Sequence, residues 1–370
     1  RVDVERDAGD TDAASADAAN AVDRARALGY APLVARALVA RGRIALAVAA
    51  RGRGQDDFVE ATRTALEVGD EPLAIEAYAR AAFAIGTGGD PAAAVDGLPL
   101  VEAITARLGE RAAFPRALLH DNLATVDLAR GDRPHARALL EEARRESAGF
   151  TGAAAIEMTA ALENLLLAED DDQARRRLGD ELVAVRTRLL GPDHPFTLEA
   201  ALMRGGLIAD RERGRQALAG PCAALAELHP SHRADIRDCA FEVGWRAAVA
   251  GDRPTTAAMA RRVLSAATPT DDDRRIAGAR GYLALASGDA AGAITELAAI
   301  PRSPAGASWW RRMLDADLDL GLALAQLDRG DRAAAGATLE RAEATVHAIT
   351  DAAPIEAHHR LDAITALRAR

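Results

Sequence analysis

The sequence predicts an all-α chain, a right-handed superhelical solenoid of antiparallel helix hairpins. Three observations carry that expectation. At 370 residues the chain is too long for one ordinary core, since single cores stop growing near ~250–300 residues. Hydrophobic residues make up 49% but aromatics only 3%, with alanine supplying much of the apolar share. Alanine has the best helix propensity, and small side chains let helices approach closely. No β-branched run alternates strictly enough to argue for a sheet. The third observation is punctuation: a Gly-Asp pair, often with proline close behind, recurs along the chain before an amphipathic run.

The quoted corners are EVGDEPLAIEA (67–77), TGGDPAAAV (87–95), ARGDRPHARALLEEA (129–143), VAGDRPTTAAMARRVL (249–264), ASGDAAGAITEL (286–297) and DRGDRAAAGATLERA (328–342). In each, glycine ends one helix, aspartate caps the next and proline is tolerated in the first turn. An alanine five residues after Gly69, Gly89, Gly131, Gly288 and Gly330 suits close packing of the second helix on the first. Gly214, Gly251, Gly288 and Gly330 follow at about 40 residues, the period of helical-hairpin repeats. The corners at 50–58 and 168–176 complete the series.

Taken in order, residues 1–30 form a leading segment and helix. About eight hairpins follow over 31–348, at 31–68, 71–108, 110–147, 151–190, 194–228, 231–266, 271–300 and 307–348, and 349–370 closes the chain with a helix. No hairpin can bury its apolar stripe alone, but stacked neighbours can, leaving a concave face lined by the first helices.

Charge and motifs exclude several functions. All 46 basic residues are arginine, the net charge is −10 and the pI about 5.4, which argues against a nucleic-acid surface. No apolar run approaches the ~20 residues of a membrane span and no signal peptide is visible. A cytoplasmic location without membrane insertion is expected, extracytoplasmic only if a span precedes this region. Arg1 in place of methionine is expected of a fragment of a longer protein.

Histidine beside aspartate in RLLGPDHPFTLEA (188–200) suggests chemistry at His194 and Asp193. A joint explains it better: Gly191 caps, Pro192 and Pro195 stop and restart the chain, and Asp193 bonds nearby N–H groups. His358 and His359 diverge by ~100° on a helix and cannot share a metal; with His229 and His232, flanking Pro230, they read as surface or joint packing. The acidic runs EDDDQ (169–173) and TDDDRR (270–275) lack the spacing of a calcium loop and read as helix caps. No catalytic residue, cofactor or metal ligand is assigned. Cys222 and Cys239 lie about equally far from the Pro230 turn on antiparallel helices. Buried free thiols are the preferred reading, and an oxidising compartment would make a disulfide credible.

The pattern NLA…LARGD…HARALLEEA (122–143) resembles a tetratricopeptide repeat, with Leu123 and Ala124 in the Leu-Gly positions, Gly131 at the turn and Ala136 at the small packing position. VGWRAAVAGDRPTTA (243–257) is similar, with Gly244 in the small position. LLGPDHPFTLEA (189–200) resembles the joint of the kinesin light-chain-like subclass. More widely, 25–45 and 118–143 resemble the C-terminal repeat region of large myxobacterial-type Ser/Thr protein kinases. No kinase machinery stands in the chain.

The resemblance implies a non-catalytic scaffold for a protein or peptide segment, in the regulatory or recruitment region of a bacterial kinase whose catalytic domain lies upstream. Three alternatives stand beside it: an autoinhibitory clamp on the chain's own kinase domain, the repeat tail of an ATPase-type transcriptional regulator, and a small-molecule sensor. Matched to the repeat template, Asp121, Asn122 and Thr125 fall on the concave side of one repeat, Asp238, Glu242 and Trp245 in another, and Arg275 and Tyr282 in the next. Asparagine can bond a peptide backbone and aromatic rings are common anchors, although Trp245 could equally pack between repeats. The usual lysine clamp for C-terminal carboxylates is impossible without lysine. The groove looks mixed to acidic and suits a basic or amphipathic partner. Trp309 and Trp310 are expected to split between core and surface.

Overall fold

Helices are the only regular secondary structure among the residues described in this computed structural model, 10–47, 51–208, 210–267, 274–304, 307, 309–350 and 354–370. The chain divides into two compact units, Arg1–Pro192 and Asp193–Arg370. The boundary falls inside RLLGPDHPFTLEA.

The first unit contains α1 (Thr11–Ala27), α2 (Ala31–Ala47), α3 (Arg51–Glu67), α4 (Glu71–Gly88), α5 (Leu98–Leu108), α6 (Ala113–Arg130), α7 (Arg133–Ser147), α8 (Gly152–Glu157), α9 (Thr159–Ala168) and α10 (Asp172–Leu190). The second contains α11 (Pro195–Gly206), α12 (Arg211–Leu228), α13 (Arg233–Ala250), α14 (Arg253–Ser265), α15 (Arg274–Ala286), α16 (Ala290–Ala298), α17 (Trp309–Asp328), α18 (Arg332–His347) and α19 (Pro354–Arg368). Within each unit, helices joined by short turns pack on their chain neighbours, giving an all-α solenoid architecture. No helix among the described residues is long and apolar enough to cross a membrane.

The corners work by the chemistry their residues suggest. Gly131 has φ +84°, a left-handed conformation that disfavours any side chain, and its N–H bonds back to the end of α6. Asp132 then accepts from the His135 N–H and starts α7. Asp70, Asp210, Asp252, Asp289 and Asp331 each accept the N–H three residues on, at the first turns of α4, α12, α14, α16 and α18. Four residues after Asp70, Asp132, Asp252, Asp289 and Asp331 sits a small, buried side chain: Ala74, Ala136, Thr256, Ala293 and Ala335.

That rule corrects the reading of Gly214, which is no corner. It lies inside α12, four residues after its own cap Asp210, and holds the small packing position. A Cβ there would come within 2.8 Å of Arg246 Nη1 and 3.2 Å of the Ile208 carbonyl oxygen. The TGGDP corner also departs from expectation. Asp90 accepts from Ala93, but only one 3-10 turn forms (Ala93–Val95). Asp96 turns extended and Gly97 adopts φ +83° before α5 begins with Pro99 in its first turn. The helix expected over 151–168 is likewise split at Met158, beside Thr159, whose hydroxyl bonds the Ile156 carbonyl.

Of the leading segment, 1–9 lie outside the described residues, as do most of the TDDDRR run and the Trp310 side chain.

Candidate functional site

The first helices of successive hairpins line one side of each unit, so the candidate binding residues lie on α6 in the first unit and on α13 and α15 in the second. In the first unit that side is already tied together. Asp121 is buried and accepts from Asn164 Nδ2 at 2.8 Å across to α9. Burial pushes its carboxyl up to about 6, against the Asn164 hydrogen bond. Thr125 donates to the Asp121 carbonyl, a turn-to-turn bond within α6. Asn122 is largely buried, 9% exposed. Glu157 of α8 receives Arg43 of α2 at 2.9 Å and Arg80 of α4 at 2.8 Å. Ion pairs therefore join helices far apart in sequence.

The second unit departs further from expectation, because the side shared by its first helices is occupied. α13, α15 and α17 pack on one another, and α19 packs against α13, α17 and α18. α19 buries Ala357, His359, Arg360, Ala363, Ile364 and Leu367. This is the amphipathic spacing of a helix laid along a groove. His359 donates Nε2–H to the Gly206 carbonyl at the end of α11, at 3.0 Å. Burial, and then Arg246, hold that imidazole down at about 4, so it is neutral.

Arg360 is the centre of the arrangement. Its Nε and Nη2 bond both carboxylate oxygens of Asp317 at 2.8 and 2.9 Å, and Nη2 also lies 3.4 Å from Glu242. The guanidinium stands 5.0 Å over the Trp245 ring, with Arg246 at 5.4 Å. Trp245 Nε1 donates to Glu242 at 2.9 Å, and Arg246 pairs with the same carboxylate at 2.7 Å. Burial alone would raise the Glu242 carboxyl, yet Arg246 and Arg360, helped by the Trp245 hydrogen bond, hold it at about 2. Asp317 goes the other way, to about 6, because burial outweighs Arg360 there and Glu242 repels its charge.

Two of the expected anchors need correction. Trp245 is 0% exposed and Tyr282 2%, so neither offers a surface ring. Tyr282 donates to the Asp317 carbonyl at 2.5 Å and packs edge-on to Phe241. Gly321 leaves room for the ring, since a Cβ there would meet it at 2.8 Å. Glu242 is committed to the clamp just described. Asp238 remains exposed and pairs with Arg275 at 3.3 Å.

The other candidates resolve as joints and packing. His194, not Asp193, caps α11: its Nδ1 accepts from the Phe196 N–H at 3.3 Å. The Asp193 carbonyl accepts from His229 Nε2 at 2.6 Å. His358 is exposed near Asp362, whereas His359 is a core residue rather than a surface one. In the acidic run, Glu169 is buried, accepts the Asp170 and Asp171 N–H groups and pairs with Arg137 at 2.7 Å. Asp171 caps α10. Trp309 is half-buried beside Met313 and Ile349.

Cys222 and Cys239, preferred in sequence as free thiols, are joined by a disulfide, with Cα atoms 5.7 Å apart. Opposed positions on adjacent helices put both within bridging reach. Among the described residues, Glu199, His232 and Asp235 bring donor atoms within 4.8 Å of one another. His232 already faces Asp235 at 3.2 Å there, and a single imidazole with two carboxylates specifies no particular metal.

Arg360 and Asp317 did not emerge from sequence reading. Nothing in a one-dimensional pattern distinguishes one Arg–Asp combination from many, and Arg360 lies 118 residues from Glu242. The buried stripe of α19 was the one available signal. No known family description matches the chain, and no curated protein does. Among solved structures, a chain from the crystal structure of the APC/C hetero-tetramer Cut9–Hcn1 is similar at 13% identity and a TM-score of 0.39, over 87% of this chain and 75% of that one.

Proposed function

We propose that this chain is a non-catalytic scaffold that holds helical protein segments along the side lined by its first helices. One observation supports the reading above the rest: in the second unit that side holds an amphipathic helix, α19, by an apolar stripe and by Arg360 set between Asp317, Glu242 and the Trp245 ring. A preformed face with an acidic clamp beside an aromatic ring suits an arginine-bearing helix, in the helix-in-groove mode of recognition. A partner would be a basic or amphipathic segment, engaging the part of the face still exposed around Asp238 and Arg275.

The parent is proposed to be a larger bacterial Ser/Thr protein kinase, from the resemblance of 25–45 and 118–143, with this region in regulation or recruitment. The occupied face favours a second reading, an intramolecular clamp. Selection of helical peptides from a display library on the full chain tests the scaffold, with counter-selection on the charge-reversed Asp238→Arg/Arg275→Glu variant. Enrichment of arginine-bearing amphipathic peptides lost on reversal is expected. Failure to enrich any, or indifference to the reversal, sinks the proposal. In the parent, deletion of 31–369 separates the two modes: basal phosphorylation rises if the region restrains, and substrate phosphorylation falls if it recruits.

A further inference from the structure

α12 and α14, second helices of the second unit, and the first turn of α13 between them line a cleft of about 650 Å³. Its floor is apolar, built from Ala226, Ile236 and Ala266. Its rim carries Arg233, Arg261 and Arg262 against one carboxylate, Glu227. A cleft of this size with an apolar floor and few charged groups has the make-up of a ligand site.

What sets it apart is that none of its three lining arginines is paired, whereas the other two clefts each have only one such arginine, Arg312 and Arg188, among the described residues. In the cleft of about 430 Å³ beside α17, Arg302 and Arg341 are both spent on Asp319. In the cleft of about 450 Å³ between α7 and α10, Arg144 pairs with Glu181 at 2.7 Å. At the third cleft neither Arg233, Arg261 nor Arg262 has a partner among the described residues. Arg262 Nη1 is buried there without a hydrogen bond, and leaving a buried donor unsatisfied is costly. A local excess of positive charge therefore stands on a chain of net charge −10. The Cys222–Cys239 disulfide ties α12 to α13, two walls of the cleft, next to Ala223 and Ile236.

We infer that this cleft is a second docking site, for an acidic protein segment carrying a small apolar side chain. The carboxylates meet the three guanidiniums, where charge-assisted and bidentate bonds are available. The apolar side chain sits on the alanine and isoleucine floor. The site is independent of the face that holds α19, so the two readings stand or fall separately.

Fluorescence anisotropy on the full chain tests it, using a fluorescein-labelled peptide of aspartate, glutamate and alanine with one central leucine. Saturable binding is expected, weakening as salt rises from 50 to 200 mM, as screening requires. The exposed pair Arg233→Glu/Arg261→Glu weakens it at least tenfold without moving the melting temperature. Arg262→Gln weakens it at least threefold, and the distant exposed Arg329→Glu changes it less than twofold. The inference is overturned if a matched peptide with arginine in place of the acids binds as well, or if the double reversal changes affinity less than twofold. It also fails if binding appears only after Asp271, Asp272 and Asp273 are all changed to asparagine, because the site would then belong to the chain's own acidic run.

Discussion

Arg360→Met is the sharpest probe of the second unit. Methionine keeps much of the unbranched stem that packs near Trp245 and removes the guanidinium alone. In the native chain that group makes two bonds to Asp317, one longer contact to Glu242 and one bond to the Glu356 carbonyl at 3.0 Å, and is 3% exposed. Removing one partner of a buried pair costs roughly 3–5 kcal/mol because the other charge is left uncompensated. Asp317 can soften that by taking a proton, since its carboxyl already stands at about 6. The loss should therefore reach the full range near pH 7.5 and shrink by at least about 1 kcal/mol at pH 5, where Asp317 is largely neutral.

At roughly 2–4 °C per kcal/mol for a unit of this size, the melting temperature falls by about 6–20 °C at pH 7.5. Thermal unfolding followed by circular dichroism at both pH values measures it. The double variant Asp317→Asn/Arg360→Met, with no stranded charge at 317, should recover much of the loss. A drop below about 1 kcal/mol, the same drop at both pH values, or no recovery in the double variant would refute the clamp as an organising contact.

Asp121→Asn should stabilise the first unit above pH 6. The native carboxyl stands at about 6 against 3.8 unfolded, so its stabilising effect is present below about pH 4 and is lost as pH rises through 6; that displacement corresponds to at most about 3 kcal/mol. Denaturant titrations at pH 8 and pH 3.5 should show a gain of about 1–3 kcal/mol at the first and none at the second. His359 has the opposite sign: held at about 4 against 6.5 unfolded, it loses stability for the fold as pH falls from about 6.5 to 4, and His359→Gln should flatten that slope in a pH series of melting temperatures. Reducing Cys222–Cys239, 17 residues apart in sequence, should lower stability by about 3 kcal/mol on the chain-entropy account, read by melting with and without dithiothreitol. Gly281→Ala should destabilise by about 1–3 kcal/mol, because its Cβ would stand 2.4 Å from Leu297 Cγ, whereas Gly220→Ala in open space should stabilise by up to about 1 kcal/mol.

The turns were legible because one residue type does one local job. Glycine at Gly131 and aspartate at Asp132 act within four residues of themselves, and the spacing displays it. Gly214 was misread because the same residue also serves as a helix-packing contact, and only the cap at Asp210 separates the two uses. The repeat template names which helices carry the candidate residues, but it does not record how far those residues are buried. Trp245 has the composition of a surface anchor and the environment of a core residue, because Thr256, Ala260 and Val263 of α14 and Ala279 and Tyr282 of α15 close around it and Arg360 of α19 stands over its ring. Pairings such as Arg43 with Glu157 arise from how turns stack, which no local pattern records.

The placement of α19 also has a consequence for synthesis. Arg360 leaves the ribosome 118 residues after Glu242, on the order of 6–24 s later at ~5–20 residues per second. For that interval Glu242 and the Trp245 ring are made without the guanidinium that the finished fold sets beside them. Until α19 arrives, the counter-charge for Glu242 comes from Arg246 on its own helix.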